Sequence, residues 1–154
     1  MDALKLLKQD HDLVKKILAE GDATTERGEK TRTELFARLK SELEIHERIE
    51  EEILYPQLRD HPKSQEIALE AYEEHHVVDT ILGELEQTPV SDDTWGAKFT
   101  VAKENLEHHI EEEEGEMFKA ARSAFSRTEL EDLGARMQEL KDLGKQVAAA
   151  GPTA

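Results

Sequence analysis

Apolar residues recur at three-and-four spacing over four long stretches of the chain, the period of a helix that buries one face. The stripes read Leu4, Leu7, His11, Val14, Leu18; then Phe36, Leu39, Leu43, His46, Glu50, Ile53; then Ala68, Ala71, His75, Val78, Leu82, Leu85; and last Phe99, Ala102, Leu106, His109, Glu113. A shorter fifth stripe follows, with Leu130, Leu133, Met137, Leu140 and Val147. Helix punctuation separates them. Asp2 can cap a first helix that runs to about Glu20, with Gly21 placed where a left-handed residue often ends a helix. The second runs from near Glu29 to just before His61-Pro62, because the residue preceding a proline is pushed out of helical geometry. Pro56 lies inside it and is expected to kink it or loosen one turn. Ser64 opens the third, which stops at Gln87. The fourth starts near Asp92 or Asp93 and continues to about Phe125, and Thr128 with Glu131 forms a capping-box pattern for the last.

The short connections make consecutive helices antiparallel neighbours. The expected fold is all-α: an up-down-up-down antiparallel four-helix bundle over residues 1–126, an additional C-terminal helix over 127–150, and a frayed tail at 151–154. That last helix either packs over the bundle or forms a dimer seam, so monomer and homodimer are both compatible with it. Its glycines, Gly134 and Gly144, weaken it as an autonomous helix.

The chemistry lies in what interrupts the stripes. Each of the four long helices turns one histidine inward: His11, His46, His75 and His109. The spacing selects His75 over His76 and His109 over His108, and it adds Glu50 and Glu113, each one turn beyond a histidine. All six lie near the middle of their helices, and in an antiparallel bundle the midpoints share one height. Burying four imidazoles and two carboxylates with nothing to balance them costs several kcal/mol per charge. A bound cation removes that cost. A single structural zinc uses about four ligands, so six donors point to two metals with bridging carboxylates. Imidazole with carboxylate suits iron or manganese.

Charge and composition narrow the partners. The chain of 154 residues fits one domain, and aromatics at 5% suit narrow helical stripes better than a sandwich or barrel. A net charge of -16 repels phosphates and anionic lipid heads, which argues against nucleic-acid and membrane partners and favours cations. With no cysteine, any metal must be held by nitrogen and oxygen. The start, MDALKLLKQD, lacks the apolar core of a signal peptide, and no run approaches the roughly 20 apolar residues of a membrane span. A cytoplasmic location is expected.

The phrases KQDHDLVKKIL, EIHERIEEEILYP, YEEHHVVDTIL and EHHIEEEEGEMFKAAR, in that order over about residues 3 to 122, resemble the hemerythrin-like, HHE cation-binding family. The resemblance implies two iron ions joined by an oxo or hydroxo bridge from solvent, with His11 and His46 on one, His75 and His109 on the other, and Glu50 and Glu113 as bridges. Manganese and zinc are possible substitutes. The chain departs from the oxygen-carrying hemerythrins in two places. Asp79 stands where their third helix has a second histidine, and the last helix has His109-x3-Glu113 in place of a longer His-to-Asp spacing. Losing one imidazole favours reactivity over simple oxygen carriage. Some members of the wider family use a glutamate directly after the second histidine or a nearby tyrosine, which makes Glu47 and Tyr55 secondary candidates.

The expected function is to bind or turn over a small oxidant, namely dioxygen, nitric oxide or hydrogen peroxide. The alternative is a non-catalytic iron or oxygen sensor, or an iron-binding protein stabilised by its metal. The remaining residues read more simply. The runs Glu50 to Glu52 and Glu111 to Glu114 read as mostly solvated face, with one residue of each turned in. His76 and His108 lie about 100° off the stripe and read as exposed or supporting, and His61 as a loop residue. Trp95 and Phe99 close an apolar end of the bundle, and Tyr72 fits either the core or the site.

Overall fold

The computed structural model describes residues 1–151; residues 152–154, where the sequence predicts most of the frayed tail, lie outside the described residues. Helix α1 spans Ala3–Asp22. Helix α2 comprises Glu29–Ile49, a widened π-helical turn Glu50–Leu54 and a final stretch Tyr55–Arg59. Helix α3 spans Gln65–Glu86. Helix α4 comprises Trp95–Glu112, a second π-helical turn Glu113–Met117 and Phe118–Ala124. Helix α5 spans Arg127–Ala150. There is no strand among the described residues. Helices α1 to α4 pack in a ring of sequential neighbours, and α5 lies across α1 and α2.

The long stripes are the buried faces: every residue of the first, third and fourth is buried, and in the second only Phe36 is half-covered. Their apolar members join other buried residues in two clusters. One joins Leu7, Ile49, Leu54, Tyr55, Met117 and Phe118 to the α5 residues Leu130, Leu133 and Met137. The other joins Val14, Leu18, Leu39, Leu43, Leu85 and Phe99 at the opposite end. Each fully buried Leu or Phe contributes about 1.5–3 kcal/mol. A polar layer separates the clusters. Trp95 and Phe99 stack at 5.1 Å in the second cluster, as expected of residues closing that end.

Several boundaries differ from the sequence reading. Gly21 does not end α1 in a left-handed residue; the helix runs on to Asp22, and Gly21 is needed because the Phe99 ring fills the space a Cβ would take. Helix α4 starts at Trp95 and not at Asp92 or Asp93, because Asp92 uses its carboxylate to accept from the Thr94 N–H and hydroxyl in a turn before the helix. The capping box of α5 is Ser126 with Glu129, not Thr128 with Glu131; Glu131 instead pairs with Arg127 at 3.3 Å. Helix α5 buries residues fully only in its first half; beyond it, Lys141 and Gly144 keep contact with the bundle but the helix is more exposed. Leu140 is half-buried and Val147 is 64% exposed. Its glycines have a packing role: a Cβ on Gly134 would strike the backbone of residues 1–3, and one on Gly144 would sit 3.2 Å from Ile45.

Candidate metal centre

Mid-helix placement brings the six residues to one level, as their spacing predicts. His11, His46, Glu50, His75, His109 and Glu113 come together with none more than 5% exposed. They form two overlapping sets, one of His11, His46, Glu50 and Glu113 and the other of His75, His109, Glu50 and Glu113. Within each set one donor atom per residue lies within 4.8 Å of the others. His11 Nε2 stands 3.0 Å from Glu113 and His46 Nε2 3.0 Å from Glu50. His75 Nε2 is 3.3 Å from Glu50, and His109 Nε2 is 3.3 Å from Glu113. Both glutamates thus face histidines of both sets.

The histidines are oriented by a ring of acids that runs around the bundle. Nδ1 of His46 meets Asp10 of α1 at 2.9 Å, and Nδ1 of His75 meets Glu51 of α2 at 3.3 Å. Nδ1 of His109 meets Glu74 of α3 at 3.3 Å, and Nδ1 of His11 meets Glu114 of α4 at 2.7 Å. A carboxylate only accepts, so each Nδ1 carries the proton and each Nε2 turns its lone pair inward. Asp10 in turn accepts from Lys141 of α5. Sequence reasoning left these five residues out. Glu51 and Glu114 belong to the glutamate runs taken as solvated face, yet both are half-buried and each holds a ring.

The two π-helical turns begin at Glu50 and Glu113. Pro56, with no N–H to donate, accounts for the first, as expected of a loosened turn. In a π turn the residue five along takes the hydrogen bond, and the N–H of Tyr55 and of Phe118 reach back to the carbonyls of Glu50 and Glu113. Each widened turn is thus followed by a buried aromatic residue, Tyr55 or Phe118, five positions after its glutamate. Tyr55 donates to Glu113 Oε2 at 2.7 Å and lies 3.2 Å from His75 Nε2. Phe118 stacks on His11 at 6.3 Å.

Of the secondary candidates, only Tyr55 reaches the layer. Glu47 points toward Glu51 and His75, outside both inner sets, and Asp79 is exposed. Tyr72 packs edge-on against Tyr55 at 5.2 Å and donates to the Glu51 carbonyl. His76, His108 and His61 stay outside the layer.

The donor set calls for positive charge. His11 Nε2, both oxygens of Glu50, His109 Nε2 and Glu113 Oε1 are buried with no hydrogen-bond partner. Such orphans are costly unless an ion takes their lone pairs. Where protons are the sole cations, they are drawn in. Burial disfavours the charged rings, but Glu50 and Asp10 lift His46 well above its ordinary value, and Glu113 and Glu74 push His109 up to about 10. Burial also opposes ionisation of Glu113, yet the close approach of Glu50 and of the His109 and His11 rings holds it well below the usual carboxylate range. Glu47 goes the other way, pushed up to about 8 by burial. Tyr55 is raised well above its usual value by burial and by Glu113 and Glu50, which keeps the phenol a donor.

A helical bundle closing on a buried histidine–carboxylate layer defines a cation-binding protein. The chain belongs to the hemerythrin HHE cation-binding domain family, whose pattern it matches over residues 2–121. It is also similar to the crystal structure of a hemerythrin HHE cation binding domain-containing protein from Mycobacterium kansasii, at 30% identity and a TM-score of 0.86 over 97% of this chain and 91% of that one. Coverage of 97% cannot omit the 24 residues of α5, so that helix too has its counterpart there. No curated protein matches the chain. No helix among the described residues is long and apolar enough to cross a membrane.

Proposed function

We propose that the chain is a non-haem di-iron protein that binds or turns over a small oxidant: dioxygen, nitric oxide or hydrogen peroxide. The observation that carries this reading is the sharing of Glu50 and Glu113 by two four-donor sets, with five buried donor atoms lacking any other partner. His11 and His46 would hold one iron and His75 and His109 the other, the two glutamates serving both. Bound iron would supply the electrons exchanged with the oxidant.

The chain's own residues do the rest. The acid ring fixes each imidazole, and the apolar clusters on either side exclude water. Asp79, four residues after His75, is exposed and adds no donor, so each set offers four protein donors and leaves positions free for a small molecule. Tyr55 keeps a proton at its hydroxyl, directed at Glu113. A cytoplasmic setting belongs to the same proposal, as does partial replacement of iron by manganese or zinc.

The test is metal analysis with ultraviolet-visible spectra after iron loading, followed by peroxide and nitric oxide titration. Two irons per chain, a near-ultraviolet band and catalytic consumption of oxidant are expected. A second reading, a sensor or iron-binding protein stabilised by its metal, rests on the same buried donors, since binding there is folding energy. It predicts a large metal-dependent rise in melting temperature with no turnover.

A further inference from the structure

We propose that the acidic seam between α3 and α4 is the route by which divalent cations reach the centre, with Glu74, His108 and Glu112 forming a transit site at its mouth. The proposal rests on the metal-centre reading above. The seam holds a cavity of about 230 Å³ walled by Glu70, Glu74, Glu112 and Glu116, with His109 and Glu113 of the buried layer also in its lining. No lysine or arginine lines it. The larger cleft bordered by α2 and α3, of about 550 Å³, includes Lys40 and Arg48 and none of the six inner residues.

Local geometry builds the seam. Glu70 and Glu74 are one turn apart on α3, and His108, Glu112 and Glu116 follow at the same interval on α4, so each series lies along one helix face. Like charges so arranged repel unless a cation lies among them. One donor atom from each of Glu74, His108 and Glu112 lies within 4.8 Å of the others, and His108 Nε2 is 3.0 Å from Glu112. An independent observation shows where the seam leads. His109 Nε2 and Glu113 Oε1, buried and without hydrogen-bond partners, belong to residues of its lining.

Glu74 connects the two levels. It contributes to the outer trio and also holds His109 Nδ1 at 3.3 Å, so a cation at the mouth is one side chain away from the inner donors. The outer site is more open, with His108 and Glu112 exposed. Solvent screening keeps binding there weak and exchangeable, as transit requires.

The experiment uses the full chain stripped by a chelator and mixed with cobalt(II), whose visible absorption on binding gives the loading rate. The triple variant Glu70→Gln/His108→Ala/Glu112→Gln should load about tenfold more slowly, the scale of electrostatic steering, with a weaker salt dependence and unchanged final cobalt content. The variant Glu52→Gln/Glu86→Gln removes as many carboxylates beside the other cleft and should load at the wild-type rate. Unchanged loading in the triple variant overturns the proposal, as does equal slowing in both variants, which would show a general field and not a route. A loss of final cobalt content matching the loss of rate also overturns it, since the seam would then be part of the centre. If the wild type takes up no cobalt, the metal-centre reading itself fails; normal filling with unaltered rates sinks the route alone.

Discussion

Lys141 of α5 donates to Asp10 of α1, and the other oxygen of Asp10 receives Nδ1 of His46. The last helix therefore supports the buried layer through one carboxylate, although Lys141 lies beyond the residues matched to the family. Asp10 is ionised in this setting: burial works against it, but His46 and Lys141 hold its carboxyl below the usual value.

Lys141→Met is expected to destabilise the protein by about 1–3 kcal/mol, the cost of leaving a buried acceptor unsatisfied. Lys141→Arg should recover part of the loss. Denaturant melts of the two variants check this, and a silent Lys141→Met would show that the contact adds nothing.

His109→Ala and Glu113→Ala should each lower metal content and melting temperature together, because each removes an inner donor. His108→Ala, on the exposed flank of the same helix, should leave equilibrium occupancy unchanged. Equal losses at His108 and His109 would mean that the register of α4 is wrong.

The chelator-stripped protein should lose stability as pH rises. His109 binds its proton with a folded value of about 10 against an ordinary 6.5, so its contribution is complete below 6.5 and is lost as pH climbs through about 10. Glu47 has the same sign between 4.5 and about 8, since the folded chain keeps a proton there that the unfolded chain gives up. Metal-loaded protein should behave oppositely over this range, because protons compete with the ion for the rings. Thermal melts across pH with and without metal test both; a flat or rising profile for stripped protein contradicts the assignment.

Gly21→Ala should lower the melting temperature. Alanine gains about 1 kcal/mol in helix propensity, but its Cβ would enter the space of the Phe99 ring, and overpacking a core costs about 1–3 kcal/mol. A companion change, Phe99→Leu, should relieve that clash, so the two effects should fail to add.

The stripes exposed the bundle and its six inward donors because periodicity reports which side chains leave water, and that holds for His46 as for Leu43. The same filter hid the acid ring. Asp10, Glu51, Glu74 and Glu114 are chain neighbours of inward residues, about 100° around the helix, where a stripe analysis assigns carboxylates to solvent. Each supports a histidine on another helix, and that pairing depends on how helices neighbour one another in space. Pro56 announced one widened turn. Nothing comparable marks the turn at Glu113, where the signal reduces to a carboxylate followed five residues later by a buried aromatic.

That spacing occurs twice: His46, Glu50, Tyr55 in one half of the bundle and His109, Glu113, Phe118 in the other. The fold is in effect one helical hairpin written two times, with each copy lending its glutamate to both. Repetition on that scale would make the two donor sets equivalent, but a phenolic oxygen, present on Tyr55 and missing from Phe118, breaks the match. That one atom joins the Lys141–Asp10 support of His46 and the seam beside His109 in setting the two halves apart.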